Sequence, residues 1–227
     1  MQNIVLQAKG VTKRFGGITA LENAELEVRE GEVHALVGAN GAGKSTLIKI
    51  ITGAYTNDEG HVYLDGKEVN IKSTFDARAL GISAVYQEFS LINTVSVAEN
   101  IFMGKLLYNN LGPVPRVDWK KMNEETQKLL NSLGVKNIKP ETIVGRLSVA
   151  QKQMVEIAKA LSNKLKVLIM DEPTASLSDN EIDNMFQIIR DLKAKGISII
   201  YVSHRLEELP IICDRISVYR DGHYIKT

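Results

Sequence analysis

The sequence predicts an α/β fold: a parallel sheet core, a smaller antiparallel β layer beside it, and a helical insertion. Short β-branched and apolar runs recur at Val33 to Val37, Ile82 to Tyr86, Val167 to Met170, Ile197 to Val202 and Ile216 to Tyr219. Their near-continuous apolar character suits strands covered on both faces, as parallel sheets require. Helical periodicity fills the gaps, with Leu47, Ile48, Ile50 and Ile51 in Lys44 to Ile51, and Ile182, Met185, Phe186, Ile189 and Leu192 in Asp179 to Lys195.

The N-terminal part has a different texture. Ile4 to Ala8, Ala24 to Val28 and His61 to Leu64 are short and turn-bounded, with Glu30-Gly31 and Asp65-Gly66 as turn signals, and are expected to form the antiparallel layer. Between Gln87 and Asn163 strand signals vanish. There Asp118 is suited to cap a helix whose face is Trp119, Met122, Leu129, Leu130 and Leu133, ended by Gly134. The helical insertion so defined runs from about residue 88 to 160, and its Pro/Gly-rich piece LGPVPR at 111 to 116 reads as a surface loop.

Composition narrows the classes of function. The 227 residues are 44% hydrophobic and 24% charged with a net charge of +1, so no strong field marks a nucleic-acid or anionic-membrane binder. Cys213, the single cysteine, excludes an intrachain disulfide and a thiolate metal cluster, and its setting after Ile211 and Ile212 reads as a small buried apolar residue. No apolar run approaches the roughly 18 residues that cross a bilayer, and the first residues lack the apolar stretch of a secretory signal. Membrane association is therefore expected to come through a partner.

The strongest chemical signal is GANGAGKST: Gly38, Ala39, Asn40, Gly41, Ala42, Gly43, Lys44, Ser45 and Thr46. It satisfies the phosphate-loop pattern G-x-x-x-x-G-K-[ST] between an expected strand and an expected helix. The glycines let backbone amides turn inward around a polyphosphate, and the helix adds the positive end of its dipole. Lys44 is placed to reach the β- and γ-phosphates and the Ser45 hydroxyl to ligate Mg²⁺.

Asp171 and Glu172, in KVLIMDEPT, stand at the end of a buried strand. By themselves they would be a polar strand terminus stopped by Pro173. With a phosphate loop upstream, Asp171 becomes the carboxylate that holds Mg²⁺ and Glu172 the base that orients and deprotonates water. The guanine-reading pattern N-K-x-D is not met, since NKLK at 163 to 166 lacks its Asp, which favours ATP.

In this order the motifs resemble the ATPases of the ABC transporter family, over essentially the whole chain. Gln87 in VYQEFSL occupies the family's Q-loop position, LSVAQ at 147 to 151 the signature, EPTASLS the D-loop, and His204 in YVSHRLEE the switch position. The resemblance implies a P-loop NTPase fold with a RecA-like core. It makes Phe15 the ring that stacks on adenine, Gln87 a further Mg²⁺ contact, His204 a group steadying the γ-phosphate, and Ser148, Val149 and Gln151 contacts to nucleotide held by a second domain. Each has a local alternative. Ser148 and Gln151 form an S-x-x-Q capping box that needs no ligand, Gln87 could be a polar strand end and His204 a helix start, and a lone Phe is usually core. Two positions depart from the family pattern: Val149 and Ala150 replace the signature glycines, and Ser178 replaces the D-loop aspartate. Ser178 has its own reason, a capping box with Glu181.

LSVAQKQMVEIAKALS, DEPTASLS, SHRLEE and CDRISVYRDGHYI resemble the branch importing ribose, galactose, xylose and similar monosaccharides. That resemblance implies one nucleotide-binding domain over residues 1–227, with 1–87 and 161–227 as ATP-binding core plus β layer and 88–160 as helical subdomain. It further implies an N-terminal half of a tandem protein, peripheral to the cytoplasmic face of the membrane. Its partners would be permease subunits, docked near Gln87 to Ser96, a second nucleotide-binding domain and, indirectly, a sugar-binding protein. Two other readings stay open: a soluble ABC-type ATPase acting on ribosomes or nucleic acid, and a nucleotide-binding half-site with little turnover alone.

Overall fold

The computed structural model describes residues 3–109 and 114–227. Of the LGPVPR segment, Leu111 to Pro113 lie outside the described residues. The chain opens with a long hairpin, β1 (Ile4–Phe15) and β2 (Ile18–Arg29), then β3 (Val33–Val37) and α1 (Lys44–Ile51). A second hairpin, β4 (Glu59–Leu64) and β5 (Lys67–Val69), precedes α2 (Thr74–Ala79) and β6 (Ile82–Val85). The insertion follows with α3 (Val97–Phe102), the two-residue strands β7 (Tyr108–Asn109) and β8 (Arg116–Val117), α4 (Trp119–Ser132) and α5 (Val149–Leu161). The chain then returns through β9 (Val167–Asp171), α6 (Asp179–Ala194), β10 (Ser198–Val202), α7 (Leu209–Ile212), β11 (Arg215–Arg220) and β12 (His223–Lys226).

Ten strands form one sheet in the order β5-β4-β1-β2-β12-β11-β3-β10-β9-β6. The run β11-β3-β10-β9-β6 is parallel. The run β5-β4-β1-β2 is antiparallel and joins the rest through a single pair, His223 on Glu22. The expected antiparallel layer thus continues the core sheet across one narrow seam.

Alternate side chains of the central strands serve two cores. Ile199 and Tyr201 of β10 pack with α3 to α6, while Ile200 and Val202 pack with α1 and the hairpins. Each such side chain, fully withdrawn from water, contributes about 1.5–3 kcal/mol. Double coverage explains the unbroken apolar runs of β3, β9 and β10. It does not hold for β11, where Ile216 and Val218 are 37% and 36% exposed and Tyr219 is buried: this strand is covered on one face only.

Within the insertion, Asp118 caps α4 by accepting the Lys121 amide, and Gly134 follows its end in the left-handed region. The face of α4 is Met122, Thr126 and Leu130, with Leu133 just beyond, whereas Trp119 is half exposed. Trp119 is the first residue of α4, three positions ahead of the fully buried Met122.

Candidate functional site

The carboxyl ends of β3, β10, β9 and β6 lie side by side, and register brings their polar residues level. Leu36 pairs with Val202, Val202 with Asp171, and Met170 with Val85. Each strand is then followed by one candidate group: the loop Gly38–Gly43, His204, Glu172 and Gln87 respectively. Ligands of open α/β sheets bind in this crevice beyond the carboxyl ends of the strands.

The loop after β3 takes its shape from its glycines. Gly41 and Gly43 adopt φ of 82° and 93°, and Gly43 ends the loop as the N-cap of α1. Gly38 has a different reason: a β-carbon there would lie 2.2 Å from the Tyr219 carbonyl oxygen of β11. Gly43 is likewise crowded, by Leu21 and the Ala20 carbonyl of β2. Lys44 is buried and its ammonium folds back on the loop, donating to the Gly38 and Ala39 carbonyls at 2.6 and 3.0 Å. Burial lowers its pKa, against the opposing pull of Asp171 and Glu172. Ala39, Asn40, Gly41 and Ser45 are exposed around the mouth of the loop, while Ala42 is buried and Thr46 half-buried.

Across the crevice stand the carboxylates. Burial first, then the neighbouring Glu172 charge, hold the Asp171 carboxyl above its usual range, with Lys44 and His204 offsetting in part. Glu172 adopts a left-handed φ of 52° immediately before Pro173, a conformation costing roughly 1–3 kcal/mol in a residue of this kind. Its amide donates to the Val202 carbonyl at 2.8 Å, pinning the turn to β10. Its carboxylate Oε1 meets His204 Nε2 at 2.6 Å, at a partly open position.

Phe15, at the tip of the first hairpin, is 41% exposed and therefore not core. It meets Tyr55 edge-on with ring centroids 5.1 Å apart, and the Lys13 ammonium lies 5.5 Å from its ring centre. Tyr55 in turn follows α1 and donates its amide to the Lys49 carbonyl, so the ring is tied to the helix that the phosphate loop opens.

The family model described as ABC transporter matches residues 21–175, from β2 through the phosphate loop and past the carboxylate pair. The chain belongs to the ABC transporter family. It is 50% identical over 98% of its length to a putative ribose/galactose/methyl galactoside import ATP-binding protein of Burkholderia ambifaria. The chain spans less than half of the curated relatives it matches, 42–44% of their length. Among solved structures it resembles a nucleotide-free ATP-binding cassette from an ABC transporter, with 30% identity, a TM-score of 0.86, and coverage of 98% of this chain and 90% of that one. It also resembles a dimeric bacterial ABC transporter cassette, with 26% identity, a TM-score of 0.80 and 97% of each chain covered.

The remaining motif residues of this ABC cassette lie at the starts of α5 and α6 and just past β6. Ser148 and Gln151 form the reciprocal capping box at the start of α5, with the Gln151 amide reaching Ser148 Oγ at 3.2 Å and the Ser148 amide reaching Gln151 Oε1 at 3.0 Å. Val149 beside them is 46% exposed. Among the described residues no hydrogen bond or ion pair joins this helix end to Gly38–Thr46. Ser178 and Glu181 form the expected capping box on α6. Gln87 is exposed just past β6.

Three features had no local signal in the sequence. Tyr55 became visible as the neighbour of Phe15 only once the loop after α1 folded back on the hairpin. Glu156 of α5, 5% exposed, accepts both the amide and the hydroxyl of Ser90 at 2.5 and 2.9 Å, tethering the segment after Gln87. A cavity of about 410 Å³ opens beside that tether, lined in part by Arg78, Ser90, Lys105, Glu156 and Lys159, with exposed Phe75 and Met103 along it. Burial lowers the Lys105 pKa to about 8, helped by the charges of Arg78 and Lys159.

Proposed function

We propose that this ABC cassette binds Mg-ATP at the carboxyl edge of β3, β10 and β9 and hydrolyses it to drive sugar import through a membrane permease. The observation carrying this is the convergence of the Lys44 ammonium, the Asp171 and Glu172 carboxylates and the His204 imidazole on one crevice. The amides of Gly38–Thr46 and the amino end of α1 cradle the phosphates. Lys44 exchanges its two loop carbonyls for phosphate oxygens, a charge-assisted gain over neutral acceptors. Phe15 supplies the face for adenine.

Mg²⁺ fits the residues present. A carboxyl raised by burial and by a like-charged neighbour carries negative charge that a divalent cation relieves. Ser45, Asp171 and Gln87 would hold the ion, and when bound it would screen the charge on the phosphates. Glu172 takes the proton of the attacking water, and His204, already against Glu172, steadies the terminal phosphate.

The site needs a second cassette. Ser148 and Val149 are exposed and Gln151 half-buried at the start of α5, and the three are read as the lid for nucleotide on a partner domain. The dimeric cassette among the solved relatives supports this arrangement. The branch-specific motifs, and the names of the curated relatives as import ATP-binding proteins for ribose and galactose, support a monosaccharide as cargo, and the family resemblance supports a place on the cytoplasmic face of the membrane. Residues 88–160 form the subdomain that meets the permease, with the basic cavity beside Ser90 as the docking ground.

A second reading is a half-site that binds nucleotide and turns it over little alone. It is favoured by the separation of α5's capped end from the chain's own loop. Mg-ATP turnover measured against chain concentration, beside Glu172→Gln, decides. A rate per chain that rises with concentration and vanishes in the variant supports a self-assembled composite site. Binding with flat, negligible turnover supports the half-site. Loss of binding altogether removes the crevice as the nucleotide site.

A further inference from the structure

Glu208 lies in the single turn Leu206–Glu208 that follows His204, and it is 3% exposed. Its carboxylate receives three hydroxyls: Thr174 Oγ1 at 2.7 Å on Oε1, and Tyr201 OH at 2.6 Å and Ser203 Oγ at 3.0 Å on Oε2. The nearest cation, the half-exposed Arg205, stands 3.6 Å from Oε1. A buried carboxylate held mainly by neutral hydroxyls is costly, because burying an ion carries a penalty of several kcal/mol that hydrogen bonds must offset. An apolar residue would pack the turn without that penalty.

The identity of the donors gives the carboxylate a role. Thr174 lies two residues past Glu172, across Pro173, while Ser203 immediately precedes His204. Tyr201 anchors the arrangement within β10, and burial together with Glu208 pushes its phenol pKa upward, keeping it a donor. Ser203 Oγ also accepts the Arg205 amide at 3.0 Å, closing the turn that carries His204. One carboxylate thus grips both strand-end loops, beside the Glu172 amide bond to Val202.

We infer that Glu208 is a positioning residue of the hydrolytic site: it sets the Glu172–His204 pair by holding the Thr174 and Ser203 loops against each other. This rests on the reading of Glu172 and His204 as catalytic.

The test uses the whole chain with Glu208→Gln, and Thr174→Val as a milder cut at the same grip should the first fail to fold. Imidazole NMR signals of His204 are recorded with thermal unfolding and Mg-ATP affinity, and kcat and KM where the chain turns over. The expected result is a folded protein with near wild-type ATP affinity, displaced His204 signals, and kcat lower on the order of tenfold to a hundredfold at little-changed KM. Thr174→Val is expected to give the same pattern more weakly. A folded variant whose His204 signals are those of wild type overturns the inference, as does a loss of stability with unmoved His204 signals. The underlying reading is separable: wild-type turnover in His204→Ala and Glu172→Gln would remove the pair from catalysis while leaving the NMR result to stand on its own.

Discussion

Glu172 Oε1 lies 2.6 Å from His204 Nε2, the ends of β9 and β10 meeting through a carboxylate and an imidazole 32 positions apart in the chain. On the proposed reading of Glu172 as the base that activates water, the imidazole yields this carboxylate or shares it when nucleotide and water arrive.

Glu172→Gln should therefore keep nucleotide affinity and lose turnover, by roughly 10²–10⁴-fold for a positioned general base. Steady-state hydrolysis in an assembly that shows turnover checks this, alongside binding of a fluorescent ATP analogue. Unchanged hydrolysis would take the role of base away from Glu172.

Lys44→Ala should weaken ATP binding by roughly tenfold to a hundredfold, the scale of a lost hydrogen bond to a charged group. The fold should survive, because the Gly38 and Ala39 carbonyls released by the ammonium border the open mouth of the loop. Titration with a fluorescent nucleotide is the measurement, and wild-type affinity would sink the phosphate cradle.

Gly38→Ala should destabilise the protein even without nucleotide. The new methyl would meet the Tyr219 carbonyl oxygen at 2.2 Å and the Ala42 methyl at 2.9 Å, forcing β11 or the loop to move. Overpacking of this kind costs about 1–3 kcal/mol, and backbone on one side leaves little room to relax. Chemical denaturation of the nucleotide-free chain reads it directly.

Glu32→Gln should cost stability at neutral pH and progressively less in acid. Burial pushes the Glu32 carboxyl up, but hydrogen bonds from His34 and the Arg29 amide, with the charges of His34 and Arg215, outweigh it and hold the carboxyl below its ordinary range. A lowered folded pKa gives stability that is fully present above the unfolded value and lost as pH falls through the folded one. The gap in Tm between wild type and variant should therefore be widest near pH 7 and close as the pH drops below about 4.5. Glu32, His34 and Ser217 are linked in series at 3.0 and 2.7 Å, the order of a nucleophile relay, yet all three are buried, with His34 and Ser217 at 0% exposure. Ser217 is further joined to Thr227 at 2.6 Å. The cluster is an internal brace between β3 and β11.

The chemistry legible from residue order is the chemistry written in short spans. GANGAGKST, the Asp171-Glu172 pair, the capping boxes at Ser148 and Ser178 and the apolar runs of β3, β9 and β10 each depend on neighbours within a few residues. Glycine torsion, helix capping and strand burial are local consequences of residue type, and they are legible without coordinates. Whatever depends on parallel neighbours from distant parts of the chain emerges only on folding. Parallel pairing of β9 with β10 on one side and β6 on the other sets the ends that lead into Glu172, His204 and Gln87 along one edge of the sheet, and no spacing in the sequence encodes it. The one-sided cover of β11, the outward turn of Trp119, Tyr55 against Phe15, and the grip of Glu208 on Thr174 and Ser203 belong to the same class. Each is set by which surfaces packing leaves bare or brings together, a property of the assembled sheet and not of any one strand.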